Sequence, residues 1–274
     1  MKTLSDSELI LNSDGSIYHL GLKPEHLTEN IITVGDQDRV NMVSEHFDEI
    51  SFEIQRREFK TIGGRIGDRK ITVLSTGIGT DNVDIVFNEL AFLANYNLET
   101  REPLKVRKNL NLIRLGTSGS IAKEIGLNEI VYSKNAISMD DLFVFYANNF
   151  DKIVFDGRKY AVTACSSVLE EKFRRYKSAL TITAKGFYGP QFRNSSLLPK
   201  YGLEDISIIK FRDNYVGNME METAGIYGLS SLLGFNAISI NAILADRLSG
   251  TFSKSPQKVI KKMILEALEI IQRM

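Results

Sequence analysis

Cys165 is the chain's single cysteine, so no internal disulfide can form, and the composition fits a reducing compartment with Cys165 as a small buried residue. The three histidines, His19, His26 and His46, share no ligand spacing with each other or with Cys165, which argues against a metal centre. Net charge is also missing: 34 basic and 34 acidic residues cancel. That removes the electrostatic footprint expected of a partner for nucleic acid or an anionic membrane, while leaving room for a small anion held by a few local arginines. No apolar run approaches the roughly 18 residues of a membrane span. The first residues carry Asp6 and Glu8 where a signal peptide would carry basic charge, so a cytoplasmic protein is expected. The chain has no GxxxxGK[ST] loop, no GxSxG elbow, no repeat and no proline-rich linker, and Ser118 has no evident base.

What is present is an alternation of strand-like and helix-like segments over 274 residues, with 43% hydrophobic and 25% charged content. One α/β domain over 17–274 is the expectation, preceded by a polar, loosely held arm at 1–16. Apolar runs predict strands at 31–34, 71–75, 110–115, 129–136, 159–164, 179–184 and 237–245. Helical spacing predicts helices from about Asp36 to Phe47 and at 83–94, 167–176, 224–233 and 256–273. Residues 52–76 read as two or three strands with a turn at Gly63-Gly64. The segment from Glu99 to Asn109 reads as a solvated connection.

The stretch Gly217 to Arg247 concentrates charge where charge is costly. Glu220 and Glu222 open an apolar helix, with both carboxylates on one side if the backbone is extended. Asp246-Arg247 ends an apolar strand. Open α/β sheets bind ligands beyond the carboxyl ends of their strands, so a site is expected there. Three turns could bind an anion: Gly35–Arg39, Thr76–Gly79 and Arg114–Gly119. Taken singly, each glycine turn is more often just a tight connection, and none completes a nucleotide fingerprint. Arg114 at an apolar strand end, however, calls for a fixed bidentate anion such as phosphate. Lys185 to Arg193 combines Phe187 and Tyr188 with Gln191 and Arg193: rings to stack on, and donors and acceptors for the rim of a planar heterocycle.

Taken together, these motifs resemble the nucleoside phosphorylase family, and within it most closely the uridine phosphorylase branch. The resemblance rests on Tyr18-His19-Leu20-Gly21-Leu22, Gly35-Asp36-x-x-Arg39-Val40, Arg57-Glu58-Phe59, Ser75-Thr76-Gly77-Ile78-Gly79, Arg114-x-Gly116-Thr117-x-Gly119 and Glu220-Met221-Glu222, in that order. It implies a mixed central β-sheet flanked by helices, and reversible cleavage of a ribonucleoside by inorganic phosphate, with no cofactor and no metal. By position it implies that Gly35, Arg39, Arg114 and Thr117 hold phosphate, joined by Arg57 of a neighbouring subunit. Met221 and Glu222 would hold ribose, with a neighbour's His19 at the 5′-hydroxyl. Phe187, Gln191, Arg193 and Arg247 would take the base. Such sharing implies a homodimer, or a hexamer built as a trimer of dimers.

The chain departs from the branch in three places. Asp246 stands where the uridine branch usually has asparagine, and in the purine branch an aspartate there is the acid that protonates the base. A purine nucleoside phosphorylase with Asp246 as catalytic acid is therefore the alternative. Asn82 replaces a hydroxyl residue that helps bind potassium in some bacterial members, so that ion is not expected. Gly189-Pro190 reverses the common order. A nucleosidase of the same fold, or a non-catalytic nucleoside-binding protein, are more distant readings; the three arginines Arg39, Arg57 and Arg114 count against the former.

Overall fold

The computed structural model describes residues 2–274. In chain order the elements are β1 (Asn30–Val34), α1 (Gln37–Ser44), β2 (Glu49–Arg56), β3 (Phe59–Ile66), β4 (Arg69–Ser75), α2 (Thr80–Asn95), β5 (Asn111–Ser120) and β6 (Ile130–Met139). Then come β7 (Asp151–Phe155), β8 (Arg158–Ala164), α3 (Ser167–Phe173), β9 (Lys177–Ala184), α4 (Leu203–Ser207), β10 (Lys210–Phe211) and β11 (Asn214–Glu220). The chain ends with α5 (Thr223–Leu233), β12 (Asn236–Asp246), β13 (Thr251–Phe252) and α6 (Pro256–Gln272).

All the strands join one mixed sheet, whose path runs β10-β11-β9-β6-β12-β5-β1-β4-β3-β2. β1 pairs in parallel with β4 and β5, and β5 in parallel with β12; these central strands are buried on both faces over most of their length. One face carries α2 and α5, where Phe87, Leu90, Ile226 and Tyr227 pack in one core. The other carries α1, α3 and α6. In α6 the buried positions Val259, Ile260, Met263, Ile264, Ala267, Leu268 and Ile271 recur at three- and four-residue spacing, so one stripe of the helix faces the sheet. β11 also pairs with β5, Asn218 opposite Ser120, so β5, β12, β6, β9 and β11 close into a five-strand ring.

The expected single α/β domain with a flanked mixed sheet is what is found. Several local expectations are corrected. Gly63-Gly64 is no turn; both glycines lie inside β3. A Cβ on Gly63 would meet the Phe52 ring at 2.0 Å and one on Gly64 the Glu49 carbonyl oxygen at 2.2 Å, so the glycines admit the close crossing of β2, whose register shifts between Ile50 and Phe52. The actual turns lie at Arg57-Glu58 and Gly67-Asp68. α1 ends at Ser44 rather than Phe47, and α3 at Phe173 rather than 176. The N-terminal segment, expected as a loose arm, is tied down over 2–16. Leu9 is fully buried, the Leu4 N–H donates to Arg101 O at 3.1 Å, and Leu11 bridges Ile17. Among the described residues no helix is long and apolar enough to cross a membrane.

Candidate active site

The carboxyl ends of β1, β5 and β11 meet at one cavity of about 340 Å³. At the end of β1, Gly35 leads into Asp36, which caps α1: its carboxylate accepts the Arg39 N–H at 2.8 Å and pairs with Arg39 Nη2 at 2.9 Å. Arg39 is thereby turned into the cavity, with its Nη1 near the Leu115 carbonyl. Burial pulls its pKa below the ordinary value, with Asp36 opposing.

Arg114, Gly116 and Ser118 alternate onto one face of β5. The Arg114 side chain lies back across Gly116, where an added Cβ would sit 1.7 Å from Nη1; the glycine is required by that close approach. Arg114 Nη2 reaches Glu222 at 2.5 Å and Glu220 at 3.2 Å, while Nη1 donates to Asn241 Oδ1 at 2.8 Å. Glu220 ends β11 and accepts from the Glu222 and Thr223 N–H groups, both at 2.9 Å, and from the Thr183 hydroxyl at 2.6 Å. Glu222 accepts the Gly79 N–H at 2.8 Å. The expected convergence of the two carboxylates is present, though not by extended backbone: β11 stops at Glu220, and Glu222 has φ −134°, ψ −30°. Burial, then the charge of Glu220, raises the Glu222 pKa against the opposing effect of Arg114. For Arg114, burial acts to lower the pKa, but the two carboxylates outweigh it.

The other end of the cavity is a loop. Gln191 is 3% exposed, and its side-chain amide has no protein partner among the described residues, so donor and acceptor are both free. The Arg193 guanidinium lies 4.1 Å from the Phe187 ring centroid, and its Nε donates to the Phe187 carbonyl at 3.0 Å. Ile78, Leu244, Ala245 and Phe252 add apolar wall.

Of the residues expected at the site, Gly35, Arg39, Arg114, Thr117, Phe187, Gln191, Arg193, Met221 and Glu222 line this cavity. Four do not. Asp246, expected as a catalytic acid, caps its own turn: its carboxylate accepts from the Leu248 and Ser249 N–H groups and from the Ser249 hydroxyl, which holds its pKa below the ordinary value. Arg247, expected at the base, instead donates to the carbonyls of Gln191 at 3.1 Å and Phe192 at 3.3 Å and so ties down the loop. Burial, then Arg193, pulls its pKa down to about 10. His19 pairs with Glu89 at 2.7 Å, and Arg57 lies exposed 5.7 Å from the Tyr18 ring, both away from this chain's cavity. Asp36, Ser118 and Glu220 line the cavity without having been assigned there; the acid two residues before Glu222 was the signal for the last. A larger hollow of about 400 Å³ behind α5, lined by Cys165, Ser166 and Ser230 among others, has no lysine or arginine in its wall.

An α/β fold whose strand ends present guanidinium groups beside paired carboxylates, with an aromatic loop opposite, fits an enzyme that handles an anion together with a polar organic molecule. The sequence model described as the phosphorylase superfamily matches residues 29–274, and the chain belongs to that superfamily. A uridine phosphorylase of Thermococcus kodakarensis is 26% identical over 260 residues, 94% of this chain and 87% of that protein. A DeoD-type purine nucleoside phosphorylase of Alkaliphilus metalliredigens is 27% identical over 258 residues, 93% of this chain and 99% of that one. Among solved structures, a Trypanosoma brucei nucleoside phosphorylase, described as showing uridine phosphorylase activity, superposes with a TM-score of 0.84 at 26% identity over 95% of this chain and 99% of that chain. These relatives are nucleoside phosphorylases, which are pentosyltransferases.

Proposed function

We propose that the chain cleaves a ribonucleoside, uridine foremost, with inorganic phosphate to give free base and ribose 1-phosphate. One observation carries this reading: a single cavity collects Arg39 and Arg114, the Met221-Glu222 pair and the Phe187–Gln191–Arg193 loop. Gly35 N–H, Arg39, Arg114 and Thr117 hold phosphate beneath the sugar; Met221 and Glu222 hold ribose; Phe187 stacks on the base while Gln191 and Arg193 address its rim. Glycosidic cleavage leaves an oxocarbenium-like sugar and an anionic base. Phosphate is then both nucleophile and counter-charge, and positioning supplies much of the rate. Each charge-assisted hydrogen bond contributes roughly 1.5–3 kcal/mol. Donors from Gln191 and Arg193 stabilise the leaving pyrimidine, so no strong acid is needed, in keeping with an Asp246 committed to its turn.

Charge supports a shared site. The cavity wall carries three guanidinium groups (Arg39, Arg114, Arg193) against three carboxylates (Asp36, Glu220, Glu222), so a phosphate dianion brings an excess of negative charge. His19 and Arg57 flank the same Tyr18 ring, and on this reading they complete the cavity of a second copy. The working unit is a homodimer, alone or in a hexamer, acting in the cytoplasm.

Turnover of uridine, thymidine, inosine and adenosine with and without phosphate tests the reading. Phosphate-dependent release of uracil is expected. Cleavage that ignores phosphate would make the enzyme a nucleosidase, and preference for inosine or adenosine would move it to the purine branch.

A further inference from the structure

The interior of a small closed ring of strands is ordinarily filled by packed side chains, with apolar ones predominant. In the ring of β5, β12, β6, β9 and β11, every strand instead contributes a polar side chain to one unbroken hydrogen-bond chain. Arg114 Nη1 of β5 donates to Asn241 Oδ1 of β12 at 2.8 Å. Asn241 Nδ2 donates to Ser133 Oγ of β6 at 3.1 Å. Ser133 and Thr181 of β9 join their hydroxyls at 2.6 Å. Thr181 donates to Asn218 Oδ1 of β11 at 2.7 Å, and Asn218 Nδ2 donates to Ser118 Oγ of β5 at 2.8 Å. The four intermediate residues have no solvent exposure, whereas both ends, Arg114 and Ser118, line the cavity.

One member sets the polarity of the whole chain. A guanidinium only donates, so Asn241 turns its oxygen to Arg114 and its nitrogen to Ser133. Ser133 therefore accepts, and its single proton goes to Thr181. The Thr181 proton goes to the Asn218 oxygen, which leaves the Asn218 nitrogen facing Ser118. Reversing any link would strand a buried donor or acceptor. The Ser118 hydroxyl is thus committed to accept from Asn218, and its own proton has no acceptor among the described residues.

We propose that this buried chain fixes Ser118 as a hydrogen-bond donor to the base, a specificity residue, with Asn218, Thr181, Ser133 and Asn241 as positioning residues. The matching ligand atom is an acceptor, a carbonyl oxygen or an unprotonated ring nitrogen of the heterocycle. This rests on the reading of the cavity as a nucleoside site.

The test uses the nucleoside that the wild-type enzyme turns over fastest with phosphate. Asn218→Asp keeps the shape but supplies an acceptor in place of the donor, so Ser118 turns its proton inward. A loss of about tenfold in kcat/KM, carried mainly by KM, is expected. Ser118→Ala should lose as much, Ser118→Thr should recover most of it, and the Ser118→Ala/Asn218→Asp double variant should be no worse than Ser118→Ala alone. The Ser118 pair carries the test if Asn218→Asp does not fold. Ser118→Ala within twofold of wild type overturns the proposal, as does a multiplicative loss in the double variant. Wild-type enzyme without phosphate-dependent turnover of any nucleoside would overturn the functional reading itself.

Discussion

The two ends of the cavity are built differently. The Arg114 end is made of strand termini. Arg114, Glu220 and Glu222 are each less than a tenth exposed, and every partner is another buried group. The Phe187–Arg193 end is a loop: Phe187 is 51% exposed, and the backbone is pinned mainly by Arg247. On the proposed function, chemistry common to all nucleosides, the anion and the sugar, falls in the sheet, where a change disturbs the fold. On the same reading the Phe187, Gln191 and Arg193 part of base recognition lies in a loop outside the sheet, while Ser118 addresses the base from β5. Mutations at the first end should therefore cost stability and activity together, and mutations at the second end mainly activity.

The strongest way to break that comparison is Arg114→Met. It leaves two carboxylates buried without their cation, which should cost about 3–5 kcal/mol of stability and abolish turnover. Urea denaturation checks it; a loss below about 1 kcal/mol would show that the strand end is not the rigid half. Gly116→Ala separates the two costs. Its new Cβ falls at 1.7 Å from Arg114 Nη1, so the guanidinium must move away from Glu222 while its charge stays. The expected loss is about a hundredfold in kcat/KM, on the order of 2.7 kcal/mol, with a smaller loss in stability. Wild-type kinetics in this variant would mean that the orientation of Arg114 does not matter.

At the loop end, Gln191→Ala or Arg193→Ala should lower uridine turnover at least tenfold, about 1.4 kcal/mol, at a smaller cost in stability than Arg114→Met. Unchanged uridine kinetics would point to a purine substrate.

The same contrast governs what the sequence made legible. Gly35–Arg39 and Arg114–Gly119 are contiguous motifs whose meaning is local: a strand ends, backbone N–H groups are freed, and an arginine follows. Their placement at one cavity follows from the parallel pairing of β1 with β5. Closure of the ring was not legible, because the β11–β5 pairing joins residues about a hundred positions apart and leaves no periodic trace. The polar belt inside it looks, residue by residue, like scattered Ser, Thr and Asn in strands. Asp246 and Arg247 were misassigned for a related reason: adjacency to a cavity-bound strand says nothing about which way a terminal side chain turns, and both turned to backbone groups nearby. Gly63-Gly64 misled because glycine serves a close crossing as readily as a turn.

The smallest effect concerns Asp140, a buried carboxyl just beyond the end of β6. Its Oδ1 accepts from the Ser138 hydroxyl, Oδ2 has no partner, and no lysine or arginine pairs with it among the described residues. Burial, then the nearby charge of Glu220, raises its pKa, with Ser138 and Thr80 opposing. The sign follows from proton binding. Between the unfolded and folded pKa values the native state holds more protons, so this group's contribution falls as pH rises through that window and stays low above it. Asp140→Asn removes the penalty, since a neutral amide has nothing to ionise. The variant should match wild type in acid below the ordinary carboxylate range and be the more stable of the two by neutral pH, read as a rise in urea midpoint that grows with pH. A gain independent of pH would assign the effect to packing, and a loss at neutral pH would mean that the carboxylate has a cation partner in the working oligomer.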